Sequence, residues 1–260
     1  MQGEDLEAVE YLARSETRVQ LLTALAEEHR LRKDELQERT DASRTTIQRN
    51  LAGLEERGWI TSTNREYACT IAGEWVADDF EGLVQTVREA SRLGPVLQHI
   101  DTSTFEFDPS SVGFEVTSGT RGHPMKMIQA HAQSLRGATD VRLLLPETGE
   151  GPVQALTERT VAGACETTVL VTETVLDVFR TNPACRGYVE EMMQVAEFEL
   201  LVTDAEIPYY LGVVDDEVQI GVSENGQPIA LLTTDSPTAF EWAERTAADY
   251  LADSAVVDEL

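Results

Sequence analysis

Apolar and polar residues in the first seventy positions follow helical spacing and then strand spacing. Four stretches place apolar residues three and four positions apart, which predicts helices over residues 6–13, 16–26, 33–39 and 44–57. Gly58 can end the last of them, because glycine readily adopts the left-handed conformation of a helix C-terminus. Two short strands are predicted at 59–62 and 67–71, with a polar tip at Asn64 and Arg65. Helices followed by a β-hairpin predict a winged helix-turn-helix.

Between residues 73 and 100 the pattern changes to that of one long helix. Its apolar residues alternate between spacings of four and three, as in the seam of a coiled coil. They are Val76, Phe80, Leu83, Val87, Ala90, Gly94 and Leu97. The seam favours a second helix as its partner, so residues 73–100 form a candidate dimerisation helix. The alternative is that this helix packs on the C-terminal domain of its own chain.

From residue 101 onward, predicted strands and helices alternate. The strands are predicted at 112–117, 141–145, 167–171, 197–202, 209–214, 218–222 and 229–233, and the helices at 124–136, 153–161, 175–179 and 188–195. The last four strands are predicted to form an antiparallel meander, with a turn at Asn225 and Gly226. A closing helix is expected after Ser236, with Pro237 in its first turn.

These elements predict an α/β fold, or α+β when the whole chain is considered. The expected domains are a winged helix-turn-helix in residues 1–72, a linking or dimerisation helix in 73–100, and an α/β effector-binding or oligomerisation domain in 101–260.

The charge of the chain is strongly negative and unevenly distributed. Its 260 residues include 47 acidic and 20 basic residues, a formal net charge of −27. An acidic surface stays hydrated when salt screens charge over about 3 Å, so the composition favours a halophilic protein of a cytoplasm with molar salt. Residues 1–100 contain 12 basic and 19 acidic residues, against 8 and 28 in residues 101–260. The N-terminal part therefore retains its arginines in an otherwise acidic chain.

Targeting and redox signals point to the cytoplasm. No apolar run reaches the roughly 20 residues of a membrane-spanning helix, and the first ten residues are acidic where a signal peptide is basic. We therefore expect a cytoplasmic protein with no membrane partner. Cys69, Cys165 and Cys185 lack CxxC spacing, which predicts free thiols rather than disulfides or a zinc site.

The predicted helix over 44–57 offers a polar face for DNA. With its apolar residues turned inward, helical geometry places Thr45 and Arg49 outward, where threonine can contact a thymine methyl group and arginine can bind guanine. Other cations, Arg30 included, are better placed for phosphates. The predicted DNA-binding residues are Lys33, Arg44, Thr45, Thr46, Gln48, Arg49, Asn64 and Arg65. The alternative is a basic face that is merely solvated.

A second candidate site is the glycine-rich segment at 118–124. It lies between a predicted strand and the start of a helix, where free backbone N–H groups favour a phosphate or carboxylate. Arg121, His123 and Lys126 provide positive charge, and Tyr209, Tyr210 and Trp242 can line an adjacent apolar pocket. The first four of these residues form the predicted anionic-effector site, although an ordinary capped loop also fits the pattern.

Catalytic motifs are missing from the sequence. It contains no HxxxH pair, P-loop, GxGxxG or GxSxG segment, and His123 and His131 lie two helical turns apart. We therefore expect no enzyme activity, and no catalytic residue, metal or cofactor is assigned.

Two parts of the chain resemble transcription regulators. The run RTTIQRNLAGLEERGWI, with the following YACTIAG, resembles the recognition helix and wing of archaeal and bacterial winged-helix regulators. Residues 105–256 resemble the archaeal regulators typified by the methanogen filamentation and methanogenesis regulatory protein, through HPMKMIQAHAQSLRGATDVRLLLP and PTAFEWAERTAADYLADSA. The resemblance implies an archaeal, haloarchaeal regulator that couples an effector domain to DNA binding. Related sugar-responsive regulators have a phospholipase D-like sensor fold, but its His-x-Lys pattern is missing here.

The sequence thus predicts a homodimeric regulator that binds double-stranded DNA and a small, possibly anionic effector. Two alternatives remain open: a winged helix that serves only as a protein-interaction module in the transcription machinery, and a small-molecule enzyme fused to a DNA-binding domain.

Overall fold

The computed structural model describes residues 3–28, 30–224 and 227–260, so His29 and the predicted turn at Asn225 and Gly226 lie outside the described residues. The chain divides into two compact units, Met1–Arg88 and Glu89–Leu260. Within the described ranges, no helix is long and apolar enough to cross a bilayer.

The first unit begins with four helices, as the apolar spacing predicts. They are α1 (Gly3–Ala13), α2 (Glu16–Glu27), α3 (Lys33–Glu38) and α4 (Arg44–Glu56). Leu22, Leu36 and Leu51 belong to the buried core that these helices share. Ser43 caps α4, because its side chain accepts a hydrogen bond from the backbone N–H of Thr46.

A three-stranded antiparallel sheet completes the winged helix. Its strands are β1 (Leu31–Arg32), β2 (Ile60–Thr63) and β3 (Glu66–Cys69), in the order β1-β3-β2. Gly58, with φ of +71°, separates α4 from this hairpin. The predicted winged helix-turn-helix is confirmed, and β1 is an addition that was too short to predict.

The long helix α5 (Ile71–Leu97) contributes to the cores of both units. Ala77 is buried in the core of the first unit, whereas Leu93 is buried in the core of the second. Between these two ends, Leu83 and Val84 are exposed to 47% and 41%. The middle of α5 therefore carries apolar side chains that face solvent in the single chain.

An eight-stranded mixed sheet forms the centre of the second unit. Its strands are β4 (Glu115–Ser118), β5 (Asp140–Leu145), β6 (Glu166–Thr172), β7 (Phe198–Thr203), β8 (Tyr210–Val214), β9 (Glu217–Glu224), β10 (Gln227–Thr234) and β11 (Ala255–Val256). The order is β11-β7-β6-β5-β8-β9-β10-β4. Strands β5, β6 and β7 are parallel, and the other pairings are antiparallel.

Helices cover both faces of this sheet. The helices are α6 (Lys126–Leu135), α7 (Glu150–Val161), α8 (Glu173–Thr181), α9 (Pro183–Met192) and α10 (Pro237–Ala252), and a short 3-10 helix spans Thr102–Thr104. Helix α10 and the last turns of α5 pack on one face, which we name the closed face. Helices α6 to α9 pack on the other, which we name the cavity face. Strand side chains alternate between them, as for Leu144 on the closed face and Leu143 on the cavity face.

The predicted four-stranded meander is wrong in one strand. Strands β8, β9 and β10 do form an antiparallel meander, but β7 pairs in parallel with β6. The reason is that α8 and α9 connect β6 to β7, and a helical crossover returns the chain in the same direction. The α/β fold class is nevertheless confirmed.

Candidate functional site

The outward face of α4 is the candidate nucleic-acid interface. Thr45, Gln48 and Arg49 are exposed, and Thr46 is half-buried beside the cap. The opposite side of the helix is buried in the core, which fixes the direction of this polar face. The Arg49 guanidinium has no hydrogen-bond or ion-pair partner among the described residues, so it is available to a ligand.

Cations beside the start of α4 are already positioned by neutral side chains. The Lys33 ammonium donates to the Gln48 amide oxygen over 2.5 Å, and Arg44 Nε donates to Gln37 Oε1 over 3.0 Å. Arg30 differs, because it lies 4.0 Å from the Glu66 carboxylate. Exposed pairs of this kind contribute at most about 1 kcal/mol. Lys33 and Arg44 have no acidic partner among the described residues. Their positive charge is therefore not neutralised beside the outward face of α4.

The tip of the wing is a two-residue turn. Thr63 pairs with Glu66, so only Asn64 and Arg65 connect β2 to β3. Both have positive φ, 54° and 68°, as a type I′ turn requires. Asparagine tolerates this conformation, whereas arginine there costs roughly 1 kcal/mol. Arg65 is exposed and has no ion pair with the described residues.

Two other arginines of the first unit serve packing, a role that the sequence analysis missed. The guanidinium carbons of Arg18 and Arg57 lie 3.9 Å and 3.6 Å from the ring centroid of Tyr11. Arg18 Nε also donates to the Asn50 side-chain oxygen over 3.2 Å. These cation–π contacts join α1, α2 and the end of α4. Arg18 follows Tyr11 by seven residues, but Arg57 is distant along the chain, so the sequence carries no local signal for this cluster.

The predicted anion loop closes on itself. The backbone N–H of His123 donates to the Thr120 carbonyl over 3.0 Å, and that of Lys126 donates to the His123 carbonyl over 3.3 Å. The expectation of free amides at this helix start is wrong for these two groups, because the loop carbonyls already accept them. Arg121, His123 and Lys126 are all exposed.

Tyr209 does not join this loop. Its ring is buried on the closed face, where it packs edge-on against Phe105 and its hydroxyl lies 2.8 Å from Thr104 Oγ1. Burial raises the pKa of the Tyr209 hydroxyl. The neighbouring Tyr210 points to the cavity face instead. The placement of Tyr209 in the effector site is corrected, because successive strand residues point to opposite faces.

A cavity of about 340 Å³ lies on the cavity face. Its wall is formed by residues of α6 to α9 and of the underlying strands, and it is mostly apolar. Among the lining residues are Met127, Leu143, Leu156 and Val169. Of the three aromatic residues predicted to line an apolar pocket, Tyr210 lines this cavity, whereas Tyr209 and Trp242 are buried on the closed face. The other lining residues were not predicted, since the volume depends on how these helices pack.

A polar cluster lies beside the cavity, and two of its members, His131 and Tyr210, line it. His131 Nδ1 lies 2.8 Å from Gln219 Oε1, and the Tyr210 hydroxyl lies 3.4 Å from the same oxygen. Gln219 Nε2 donates to Ser134 Oγ over 2.8 Å and to Glu217 Oε1 over 2.6 Å. Burial lowers the pKa of His131 to about 4. The imidazole is therefore neutral near neutral pH.

The Tyr210 ring lies close against strands β8 and β9. A Cβ atom at Gly212 would stand 2.1 Å from the Tyr210 hydroxyl, and one at Gly221 would stand 2.8 Å from Tyr210 Cβ. Glycine at both positions thus gives the ring its place beside Gln219.

The thiols and possible metal ligands add no further site. All three cysteines are free, and burial raises the pKa of the Cys69 thiol to about 11, which keeps it protonated. The described residues contain no cluster of three or more histidine, cysteine or acidic side chains that could hold a metal ion.

Sequence comparison assigns the C-terminal unit to a family of regulators. The family model described as "Methanogenesis regulatory protein FilR1, middle domain" matches residues 124–253, half of the chain. The chain belongs to the FilR1 family. The family model "HVO_A0261 N-terminal domain" matches residues 6–92. The resemblance to methanogenesis regulators is confirmed, and no curated protein matches the sequence.

Several solved structures resemble this FilR1-family chain only distantly. The archaeal chromatin protein TrmBL2 is 14% identical, with 96% of this chain and 98% of that chain covered and a TM-score of 0.43. The phospholipase D family member Nuc from Salmonella typhimurium is 15% identical, covering 56% and 99%, with a TM-score of 0.43. NucT from Helicobacter pylori is 12% identical, covering 56% and 100%, with a TM-score of 0.44. Scores of this size support no statement about function.

Proposed function

We propose that this FilR1-family regulator is a sequence-specific DNA-binding protein that acts as a homodimer and senses a small effector through its C-terminal unit. The observation that carries the DNA-binding part is the exposed polar face of α4, on which Arg49 has no partner among the described residues. In a chain of net charge −27, an unneutralised arginine on a recognition helix favours contact with an anionic partner.

The two parts of the interface have different roles in this proposal. Arg49 lies in the middle of α4, where an arginine can reach guanine O6 and N7 in the major groove. Arg65 lies at the tip of the wing, where a cation can contact phosphates without reading sequence. Molar salt weakens the phosphate contribution, because affinity falls with a slope of roughly −0.9 per phosphate in a logarithmic plot. Base contacts by α4 then decide specificity.

A binding titration tests this division of roles. The operator is obtained by sequencing DNA that co-purifies with the protein under native salt, and it is compared with a version carrying a single base substitution. Arg49→Ala is expected to cost about 1 to 3 kcal/mol per half-site and to relax the preference at one base pair. Arg65→Gly is expected to weaken binding to both DNA molecules equally.

Arg186→Ala is the matched control, because this exposed arginine of α9 pairs only with Glu190 in the described part of the chain and belongs to the other unit. If Arg49→Ala binds both DNA molecules as tightly as the unaltered protein does, the proposal that the outward face of α4 reads the DNA sequence is wrong. Retention of any DNA without sequence preference favours the protein-interaction alternative. Turnover of a small anionic metabolite favours the enzyme alternative.

Dimerisation is proposed to use the middle of α5. Leu83 and Val84 are exposed large apolar residues on this helix, and Val87, one turn further, is exposed to 57%. Apolar side chains at heptad spacing are buried when two such helices pair. A parallel or antiparallel pair would thus remove from water the apolar surface that α5 shows in the single chain.

Sedimentation of Leu83→Glu/Val87→Glu tests the dimer. Two carboxylates in the seam are expected to give a monomer, because burying them without partners is costly. Leu6→Glu is the control, since Leu6 is a similarly exposed residue of α1. A double variant that remains dimeric with unchanged affinity shows that the dimer forms elsewhere.

A further inference from the structure

The cavity face offers enough apolar space for an organic molecule. An engineered apolar cavity of about 150 Å³ takes a benzene ring, and natural ligand pockets begin at roughly 300 Å³. The cavity here measures about 340 Å³. It is therefore sized for a compact ligand of about two fused rings, and most of its wall offers only apolar contact.

The hydrogen bonds around Gln219 define which imidazole nitrogen carries the proton. The Gln219 amide nitrogen donates to Ser134 and Glu217, so its oxygen is the atom that faces His131. That oxygen can only accept, which places the proton on His131 Nδ1. His131 Nε2 is then an unprotonated acceptor, and it has no hydrogen-bond partner among the described residues.

The charge at the cavity excludes an anion. A neutral imidazole offers no positive charge, and burial keeps the pKa of His131 at about 4. Of the described lining residues, Glu147 is the one that is charged, and it accepts a hydrogen bond from Ser223. A carboxylate or phosphate inside this wall would lose its hydration and face a like charge.

We propose that this cavity is a binding site for a small, neutral, largely apolar molecule that donates one hydrogen bond to His131 Nε2. A hydroxylated aromatic compound has this chemistry. Its role as the effector of transcription rests on the function proposed above, whereas its binding does not. The site lies under α6, and Tyr209, which is on the closed face, does not line it.

Three probes built on the same naphthalene ring test separately whether the ligand must donate a hydrogen bond and whether it must be neutral. They are 2-naphthol, 2-methoxynaphthalene, which has no donor, and 2-naphthoate, which is an anion. Equilibrium dialysis against the full chain is expected to rank 2-naphthol first. The methoxy compound is expected to bind about fivefold to tenfold more weakly, because one hydrogen bond is missing. The naphthoate is expected to show no binding in the same concentration range.

Two substitutions locate the probe. His131→Phe keeps a planar ring but removes the acceptor, so 2-naphthol is expected to lose its fivefold to tenfold advantage while the affinity for 2-methoxynaphthalene stays unchanged. Val153→Phe adds bulk to the α7 wall and is expected to weaken both probes more than tenfold. Tyr209→Phe, on the closed face, is the control and is expected to bind both probes as the unaltered protein does.

The outcomes keep the site and its regulatory role apart. If none of the probes binds to the folded, unaltered protein up to millimolar concentration, or if 2-naphthoate binds best, the proposed site is overturned; this result does not depend on whether either variant folds. Operator affinity without any probe tests the regulator function by itself. If 2-naphthol binds but leaves operator affinity unchanged, the cavity is a ligand site and its effector role is overturned.

Discussion

Two buried polar side chains on the closed face and two on the cavity face of the eight-stranded sheet differ in their hydrogen-bond partners. On the closed face, Trp242 Nε1 donates to the Thr104 carbonyl and Thr234 Oγ1 donates to the Val112 carbonyl. On the cavity face, His131 and Gln219 are bonded to other side chains. Backbone partners are fixed by the fold, whereas in a buried network of side chains each member depends on the others for its hydrogen bonds. The difference teaches that a substitution disturbs single contacts to the backbone on the closed face, but a shared network of side chains on the cavity face, where we propose that a ligand binds.

The largest difference between the faces is expected in the free energy of unfolding when Trp242 on the closed face or Met125 at the cavity is replaced by alanine. Trp242 is buried and packs edge-on against Phe105 and Phe107. Trp242→Ala is expected to lower the free energy of unfolding by about 3 to 5 kcal/mol, because it leaves a large void. Met125→Ala, at the mouth of the cavity, is expected to change it by less than about 0.5 kcal/mol. Denaturant titration measures both, and equal losses would contradict the contrast.

The second prediction concerns the pH dependence of stability that His131, on the cavity face, produces. The pKa of His131 is lowered from 6.5 to about 4, so in this range the unfolded chain binds the proton and the folded chain does not. Stability then falls as pH decreases from about 6.5 to 4, by up to about 3 kcal/mol for this group. His131→Phe is expected to lose that much less stability over the same range. Parallel pH dependences for the two proteins would show that His131 is not held neutral.

A matched pair of leucines gives a smaller effect. Leu211 of β8 is buried on the closed face, and Leu143 of β5 is buried at the wall of the cavity. Replacement of Leu211 by alanine is expected to be the more destabilising by about 1 to 2 kcal/mol, because a side chain beside a cavity has fewer neighbours to lose. Unfolding midpoints of the two variants, with unchanged slopes, provide the comparison. A larger loss for Leu143→Ala would indicate that the cavity wall is tightly packed.

The smallest effect is expected at the exposed edge of the closed face. Arg245 of α10 pairs with Glu106 over 2.5 Å, and both side chains are more than half exposed. Glu106→Gln is expected to cost less than about 1 kcal/mol at low salt and nothing measurable at molar salt. Thermal melts at both salt concentrations test this. A loss that persists in molar salt would mean that the ion pair is shielded from solvent.

Local structure was largely predictable from the sequence. The helical spacing in α4, the cap at Ser43 and the left-handed Gly58 are all encoded within a few residues. The winged helix-turn-helix and the final helix follow from such signals. Two-residue strands such as β11 do not, because so short a segment has no pattern of its own.

Long-range arrangement was less predictable, and Tyr209 and Tyr210 show why. A shift of one residue along a strand exchanges the two faces of a sheet, so two adjacent tyrosines give no indication of which one reaches a site. The partner of β7 was mistaken for a similar reason, since strand composition does not specify the neighbouring strand. Tyr210 was expected at an apolar pocket, but the rest of the cavity lining could not be predicted, because it is a property of packing between α6 to α9 and the sheet.

The turn at the tip of the wing has a consequence for how this protein can change. Arg65 occupies a left-handed conformation that glycine adopts without strain. Laboratory selection for thermostability alone is therefore expected to replace Arg65 early, whereas selection for DNA affinity should retain it. Position 65 can thus serve as an indicator of the pressure under which a library of variants has evolved, because the two demands favour different residues there.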